Sequence, residues 1–200
     1  ERVDGVIRSV AAGVLRTRRV RRNLENNMRR VLAFTHKKEP SAEEIDSVLK
    51  EHAALYGQML INSYSLPKNP GDYLKKSSQD FLPALQSLLK EGRGCLLVTP
   101  HFGDEGMIYG PLAALGMPIT VMFNDAHAYQ WANKILKNLR FIGLGQGATH
   151  SLKALSRNET VLFNGDADYF PEGRSEDFFG APFFPPHGVA RMALAAAAPI

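Results

Sequence analysis

His101, Asp104 and Glu105 are the residues of this chain whose types and spacing suit proton-transfer chemistry. They follow Gly94-Cys95-Leu96-Leu97-Val98-Thr99-Pro100 directly, with Phe102-Gly103 between the imidazole and the two carboxylates. An imidazole titrates near neutrality, so it can take a proton and hand it on. A carboxylate on its other nitrogen fixes the tautomer and stabilises the charged ring. If residues 101–105 are helical, His101 and Glu105 are i,i+4 neighbours and can touch. If Asp104 instead caps a following helix, Glu105 is the carboxylate left for the ring. Glu105 is the favoured partner, with Asp104 as the alternative.

The elements that must hold these residues are legible around them. Cys95 to Val98 is a wholly apolar run, which reads as a strand buried on both faces of a parallel sheet. Pro100 removes a ladder donor and stops it. Met107, Ile108, Leu112 and Leu115 then recur with helical period. The histidine thus lies at a strand-to-helix turn outside the carboxyl end of a strand, where open α/β sheets place ligands.

Upstream the pattern is helical. Val6, Ile7, Val10, Val14 and Leu15 share one face, and Leu24, Met28, Val31 and Leu32 another. Ser41-Ala42-Glu43-Glu44 is a capping box. The helix it opens carries Ile45, Val48, Leu49, His52, Tyr56, Met59 and Leu60 on one face. Phe81, Leu82, Leu85, Leu88 and Leu89 mark a further helix closing at Glu91-Gly92, with Gly92 as its cap. From Cys95 onward strands and helices alternate. Strands are expected at 119–123 and 160–163, and helices from Asp125 to about Leu139, at 151–155 and at 188–198. The expected fold class is α/β: a mostly parallel sheet flanked by helices and preceded by a helical N-terminal region. The expected division is 1–92, helical, packed on the core and membrane-facing, and 93–200, the α/β core. The first residue lies in a helical pattern without a cap, and Ile200 follows Pro199 at a strand-like start. The expectation is therefore a piece of a longer chain, with the core continuing past residue 200.

With 44% hydrophobic and 22% charged residues, the composition is ordinary for a globular protein with one sizeable core. The single cysteine, Cys95, excludes a disulfide framework and points to a reducing compartment. No apolar run approaches the ~18 residues that span a bilayer, and no signal peptide is visible. Seven arginines against one acid, Glu25, lie between Arg16 and Arg30. Helices combining an apolar stripe with arginines can lie in a lipid interface. Nucleic acid is not expected, because no aromatic-basic interleaving or recognised module accompanies the arginines.

Further motifs follow in order. Asn164-Gly165-Asp166-Ala167-Asp168 stands at a strand end. Asp177-Phe178-Phe179-Gly180 precedes Pro185-Pro186-His187-Gly188-Val189-Ala190-Arg191. With Pro100-His101-Phe102-Gly103 and the Arg21-Arg22-Asn23 region, these motifs resemble the lysophospholipid acyltransferase superfamily over nearly the whole chain. They are most similar to its bacterial lipid A biosynthesis branch, the lauroyl/myristoyl acyltransferases. That branch places its acid at the fifth position after the histidine. Here that position is Gly106, and the acids stand earlier.

The resemblance implies transfer of a fatty acyl chain from an acyl thioester, on acyl carrier protein or coenzyme A, to a hydroxyl of a lipid such as a lipid A precursor. His101 would be the base, with Glu105 or Asp104 orienting it and no cofactor or metal required. Donors to the oxyanion are sought at the Phe102-Gly103 turn. Asp166 and Asp168 are read as substrate-facing, and Arg191 as a residue that could meet a phosphate. The Asp166–Asp177 segment fails the calcium-loop pattern, since Phe170 and Pro171 stand where a ligand and a glycine are needed. Lys134, Lys137, Arg140, Lys153 and Arg157 form a basic set that could steer an acidic carrier protein. The expected location is peripheral, on the cytoplasmic face of the inner membrane. Gly106 keeps open a catalytically degenerate relative that binds lipid or acyl carrier protein. A metal-dependent phosphohydrolase using Asp166 and Asp168 is the remote third reading.

Overall fold

The structure, a computed structural model, describes residues 17–65, 70–104, 106–123, 139–166 and 174–200, together with Gly5, Ser9 and Gly13. The described elements are, in order, α1 (Arg18–His36), α2 (Ala42–Ser65), α3 (Pro70–Lys76), α4 (Leu82–Leu89), β1 (Cys95–Thr99), α5 (Gly106–Ala114), β2 (Ile119–Phe123), β3 (Leu139–Gly143), α6 (Leu144–Ser156), β4 (Thr160–Asn164), β5 (Glu176–Phe178), β6 (Ala181–Phe183) and α7 (Gly188–Ala196). They divide into two compact units, Glu1–Tyr64 with Glu172–Phe184, and Ser65–Pro171 with Pro185–Ile200. The first amphipathic stripe singled out, Val6, Ile7, Val10, Val14 and Leu15, lies outside the described residues, as do residues 125–138 of the helix expected from Asp125.

In the first unit, α2 begins as its capping box requires. The Ser41 N–H donates to Glu44 Oε2 at 2.7 Å, and the Glu44 N–H donates to Ser41 Oγ at 3.1 Å. That backbone donor, with Lys38 nearby, holds the Glu44 carboxyl below its ordinary range. The buried stripe of α2 is Ile45, Leu49 and Ala53, whereas His52 and Tyr56 are exposed. Ala53 replaces His52 on that face, so the imidazole stays in water. The hairpin β5–β6 is joined by Phe179 (φ 52°) and Gly180 (φ 72°), the paired left-handed conformations that suit a two-residue hairpin turn. The Gly180 N–H donates to Asp177 Oδ1 at 3.2 Å.

The second unit is a parallel sheet of order β1-β4-β2-β3, flanked by helices. Successive side chains alternate between its faces. Cys95, Ile119, Val121, Phe141 and Leu162 pack with Leu82 and Leu85 of α4 and Leu112 of α5. Leu96, Val161 and Phe163 pack with Ala154 and Leu155 of α6 and Val189 and Met192 of α7. Burial raises the Cys95 thiol, which makes it a structural side chain and a poor nucleophile.

α3 and the β5–β6 hairpin stand where no helix or strand is expected, and β3 and α6 differ in kind or extent. β3 begins at Leu139, where a helix was expected to end, because Leu139 and Phe141 alternate with exposed Arg140 on an edge strand. α6 begins at Leu144 and not at Ser151, running through Gly145 and Gly147. A Cβ at residue 147 would lie 2.5 Å from Met122 Cε, the mobile end of a side chain on β2 that can shift to make room.

The amino ends of the strands are locked by Asn158 and Glu159. Asn158 Oδ1 accepts the Gly94 N–H at 2.9 Å, while its Nδ2 donates to Leu89 O at 2.9 Å. Arg157 grips Glu159 through Nε (2.6 Å) and Nη2 (3.1 Å), and Arg140 Nη1 adds a third bond at 3.2 Å. The Arg157 bond, backed by Arg140, holds the Glu159 carboxyl below its ordinary range despite its burial. A carboxyl depressed in the folded state stabilises the fold above its unfolded pKa. That contribution is lost as pH falls from about 4.3 through the lower folded value. Glu159→Gln is therefore expected to cost about 2 kcal/mol at neutral pH. Urea unfolding should show the gap to the parent chain shrinking as pH is taken below about 4.3. A gap independent of pH would mean that ionisation of Glu159 is not what stabilises this corner.

Candidate active site

β1 and β4 run side by side with Thr99 opposite Asn164 as their last paired residues. Each chain then continues two residues further, to His101 and to Asp166. The ladder thereby brings together two side chains 65 residues apart in sequence. Asp166 Oδ2 accepts the His101 backbone N–H at 2.7 Å, and Oδ1 lies 2.7 Å from His101 Nδ1. The Gly165 N–H donates to Thr99 O at 3.0 Å, which fixes the level at which Asp166 leaves its strand.

One carboxylate thus holds both the backbone and the ring of His101. An ionised carboxylate only accepts hydrogen bonds, so in the neutral ring Nδ1 carries the proton and Nε2 presents the lone pair. That is the tautomer a general base needs. Both side chains are partly open to solvent, with 47% of His101 and 37% of Asp166 exposed, so a substrate hydroxyl can reach the ring.

The turn after His101 explains the neighbouring residues. Asp104 Oδ1 accepts the Gly106 N–H at 3.0 Å and its carbonyl accepts the Met107 N–H at 2.9 Å, so Asp104 opens α5. Gly106, the fifth residue after His101, is buried at the start of that helix. Gly103 adopts φ 68°, which favours glycine, and the Phe102 ring is 85% exposed beside the histidine. The Phe102 N–H already donates to Pro100 O at 2.8 Å. Gly103 is then the residue of this turn whose N–H makes no hydrogen bond among the described residues.

Of the other residues singled out, Glu105 and Asp168 lie outside the described residues, as do Lys134 and Lys137. Arg191 is exposed on α7 and makes no hydrogen bond or ion pair through its side chain among the described residues. Arg140 and Arg157 meet at Glu159, at the amino ends of the strands and therefore at the opposite end of the sheet from His101. Among the described residues, no three His, Cys, Asp or Glu side chains come together as a metal site. No described helix is long and apolar enough to cross a membrane. Asp166 stood out in the sequence as an acid at a strand end, but its pairing with His101 did not. The signal that finds it is the β1–β4 register.

Fold and site define a class: an α/β protein that presents a carboxylate-held histidine beyond the ends of two adjacent parallel strands. The chain matches the bacterial lipid A biosynthesis acyltransferases over residues 2–200, and it belongs to that family. Membership implies an acyltransferase, with an acyl donor and a lipid acceptor. A search of curated proteins finds no match.

Proposed function

We propose that the chain transfers a fatty acyl group from a thioester, carried by acyl carrier protein or coenzyme A, to a hydroxyl of a lipid A precursor. It works peripherally at the cytoplasmic face of the inner membrane, with the helical region 1–92 toward the lipid. His101 Nε2 takes the hydroxyl proton as the oxygen attacks the thioester carbonyl carbon. The Gly103 N–H is the candidate donor to the oxyanion that forms. Collapse of the tetrahedral intermediate breaks the carbon–sulfur bond, and the leaving thiolate takes the proton back from the imidazolium. Asp166 holds the tautomer and stabilises the charged ring. Asp166, read from the sequence as substrate-facing, is assigned here to His101, while Phe102, Gly103, Asp168 and Arg191 are assigned to the substrates. Glu105 and Asp104 are the alternative carboxylates.

The observation that supports this reading best is the double contact of Asp166 with His101. A second reading, a binding protein without turnover, is favoured by Gly106 at the family's acidic position. Labelled acyl carrier protein and acyl coenzyme A, each mixed with a bacterial lipid extract, separate the two. Labelled lipid is expected from the parent chain, falling at least about 10²-fold in His101→Ala. Product unchanged in His101→Ala would remove the base from the mechanism. No product from either donor, with lipid or carrier protein still bound, would establish the binding protein.

A further inference from the structure

The outward face of α1 and the β5–β6 hairpin meet in the first unit, and together they form a surface that the acyl-transfer chemistry does not use. On α1, Leu24, Met28, Val31 and Leu32 are the half-buried stripe. On a helix of 3.6 residues per turn, the opposite side carries Arg19, Arg22, Asn23, Asn26 and Arg30, with no acid among them and Phe34 at its border. Arg21 is paired with Glu25 and Asp46, and Arg29 with Glu39, but Arg19, Arg22 and Arg30 have no ion pair among the described residues. One turn beyond Arg30, the Phe34 ring meets Phe179 edge-on at 5.6 Å. Lys37 Nζ lies 4.3 Å from the centre of the Phe34 ring.

Phe179 is held in a left-handed conformation that a bulky residue rarely adopts. Packed against Phe34, it pins the hairpin to the helix. Its neighbour Phe178 meets Phe179 edge-on and Phe183 at a tilt, yet leaves 56% of its surface in water, and Phe34 leaves 43%. Unpaired guanidiniums beside exposed rings are poorly suited to water and well suited to the boundary between lipid phosphates and acyl chains. An acidic protein or a nucleic acid would answer the charge but not two exposed phenylalanines at one edge of it.

We propose that this face of α1, with Phe34 and Phe178 at its end, is the contact that docks the chain on an anionic lipid bilayer. Arg19, Arg22 and Arg30 meet headgroup phosphates, and Phe178 enters the interface. The inference deepens the peripheral location given above and rests on it, but it requires no turnover.

The test uses the full chain with vesicles of phosphatidylethanolamine and phosphatidylglycerol, and with vesicles of phosphatidylcholine alone. Binding is expected to the anionic vesicles and to weaken with salt. Each guanidinium near such a surface is worth about fivefold in partition, so Arg19→Gln with Arg22→Gln and Arg30→Gln should lower it by about a hundredfold. The charge-matched set Lys50→Gln, Lys75→Gln and Lys90→Gln should change it little. Phe178→Ser should cost about tenfold. Trp131→Phe removes the only tryptophan, so in that background Phe178→Trp reports from the hairpin alone, and its emission should be quenched by brominated acyl chains. Absence of binding to anionic vesicles overturns the inference, as does an equal loss in both triple sets or an unquenched reporter. Preferential binding of carrier protein or nucleic acid by the same face also overturns it. Transfer in detergent that persists without vesicle binding would sink this surface alone. Binding without transfer would leave it standing and remove the transferase.

Discussion

Asp166→Asn is expected to lower the rate of acyl transfer by about 10³–10⁴-fold with the fold intact. An asparagine is close to isosteric with aspartate, so it can still accept the His101 backbone N–H through its oxygen. Its amide nitrogen then faces Nδ1 as a donor, which forces the ring into the tautomer with the proton on Nε2. The base has lost its lone pair on the side where the hydroxyl must lie. The imidazolium formed during attack also loses a carboxylate at 2.7 Å. The loss should appear in kcat with little change in KM, because neither substrate is proposed to touch Asp166. Glu105→Gln and Asp104→Asn are the comparisons that give the number meaning. Asp104→Asn should stay near the parent, since asparagine caps a helix as well as aspartate does. A deep loss in Glu105→Gln with a shallow one in Asp166→Asn would return the dyad to the His101 turn itself.

That result bears on how much of this site a sequence can carry. β1 was legible because four apolar residues end at Thr99-Pro100, a signal internal to one strand. The cap of α2 was legible because Ser41 and Glu44 are three residues apart and complete their bonds locally. The partner of His101 was not, since it depends on β4 lying next to β1, although β2 and β3 come between them in sequence. No local spacing encodes that adjacency; it follows from how the sheet is wound. The same limit explains α6. Gly145 and Gly147 weaken a helical pattern over 144–150, yet both lie inside α6, whose Ala154 and Leu155 pack on the sheet. On α2 the period of the stripe was right, but the choice between His52 and Ala53 is made by the surface it packs on.

The adjacency that creates the site also creates its tightest constraint, at Gly165. A Cβ there would lie 2.8 Å from Val98 Cγ1, closer than real carbon atoms approach. Val98 is β-branched and stiff about its first torsion, so it does not swing clear easily. Residue 165 is also tied to Thr99 by its N–H at 3.0 Å, which leaves Asp166 next in line to move. Gly165→Ala is accordingly expected to cost about 10²-fold in kcat, the scale of a misplacement of roughly an ångström at a reacting group. Its stability should fall by only about 1–3 kcal/mol, as for other overpacked positions. Val98 is 42% exposed, so Val98→Ala alone should be mild. Combined with Gly165→Ala, it removes the colliding methyl and should restore most of the rate. The tautomer of the His101 ring, read from its ring 15N chemical shifts at fixed pH, gives a readout that needs no turnover. It should shift in Gly165→Ala and return in the double variant. A rate that falls and is not rescued would place the damage elsewhere than in this contact. A rate that never falls would mean the two strands can part without disturbing the carboxylate on which the histidine depends.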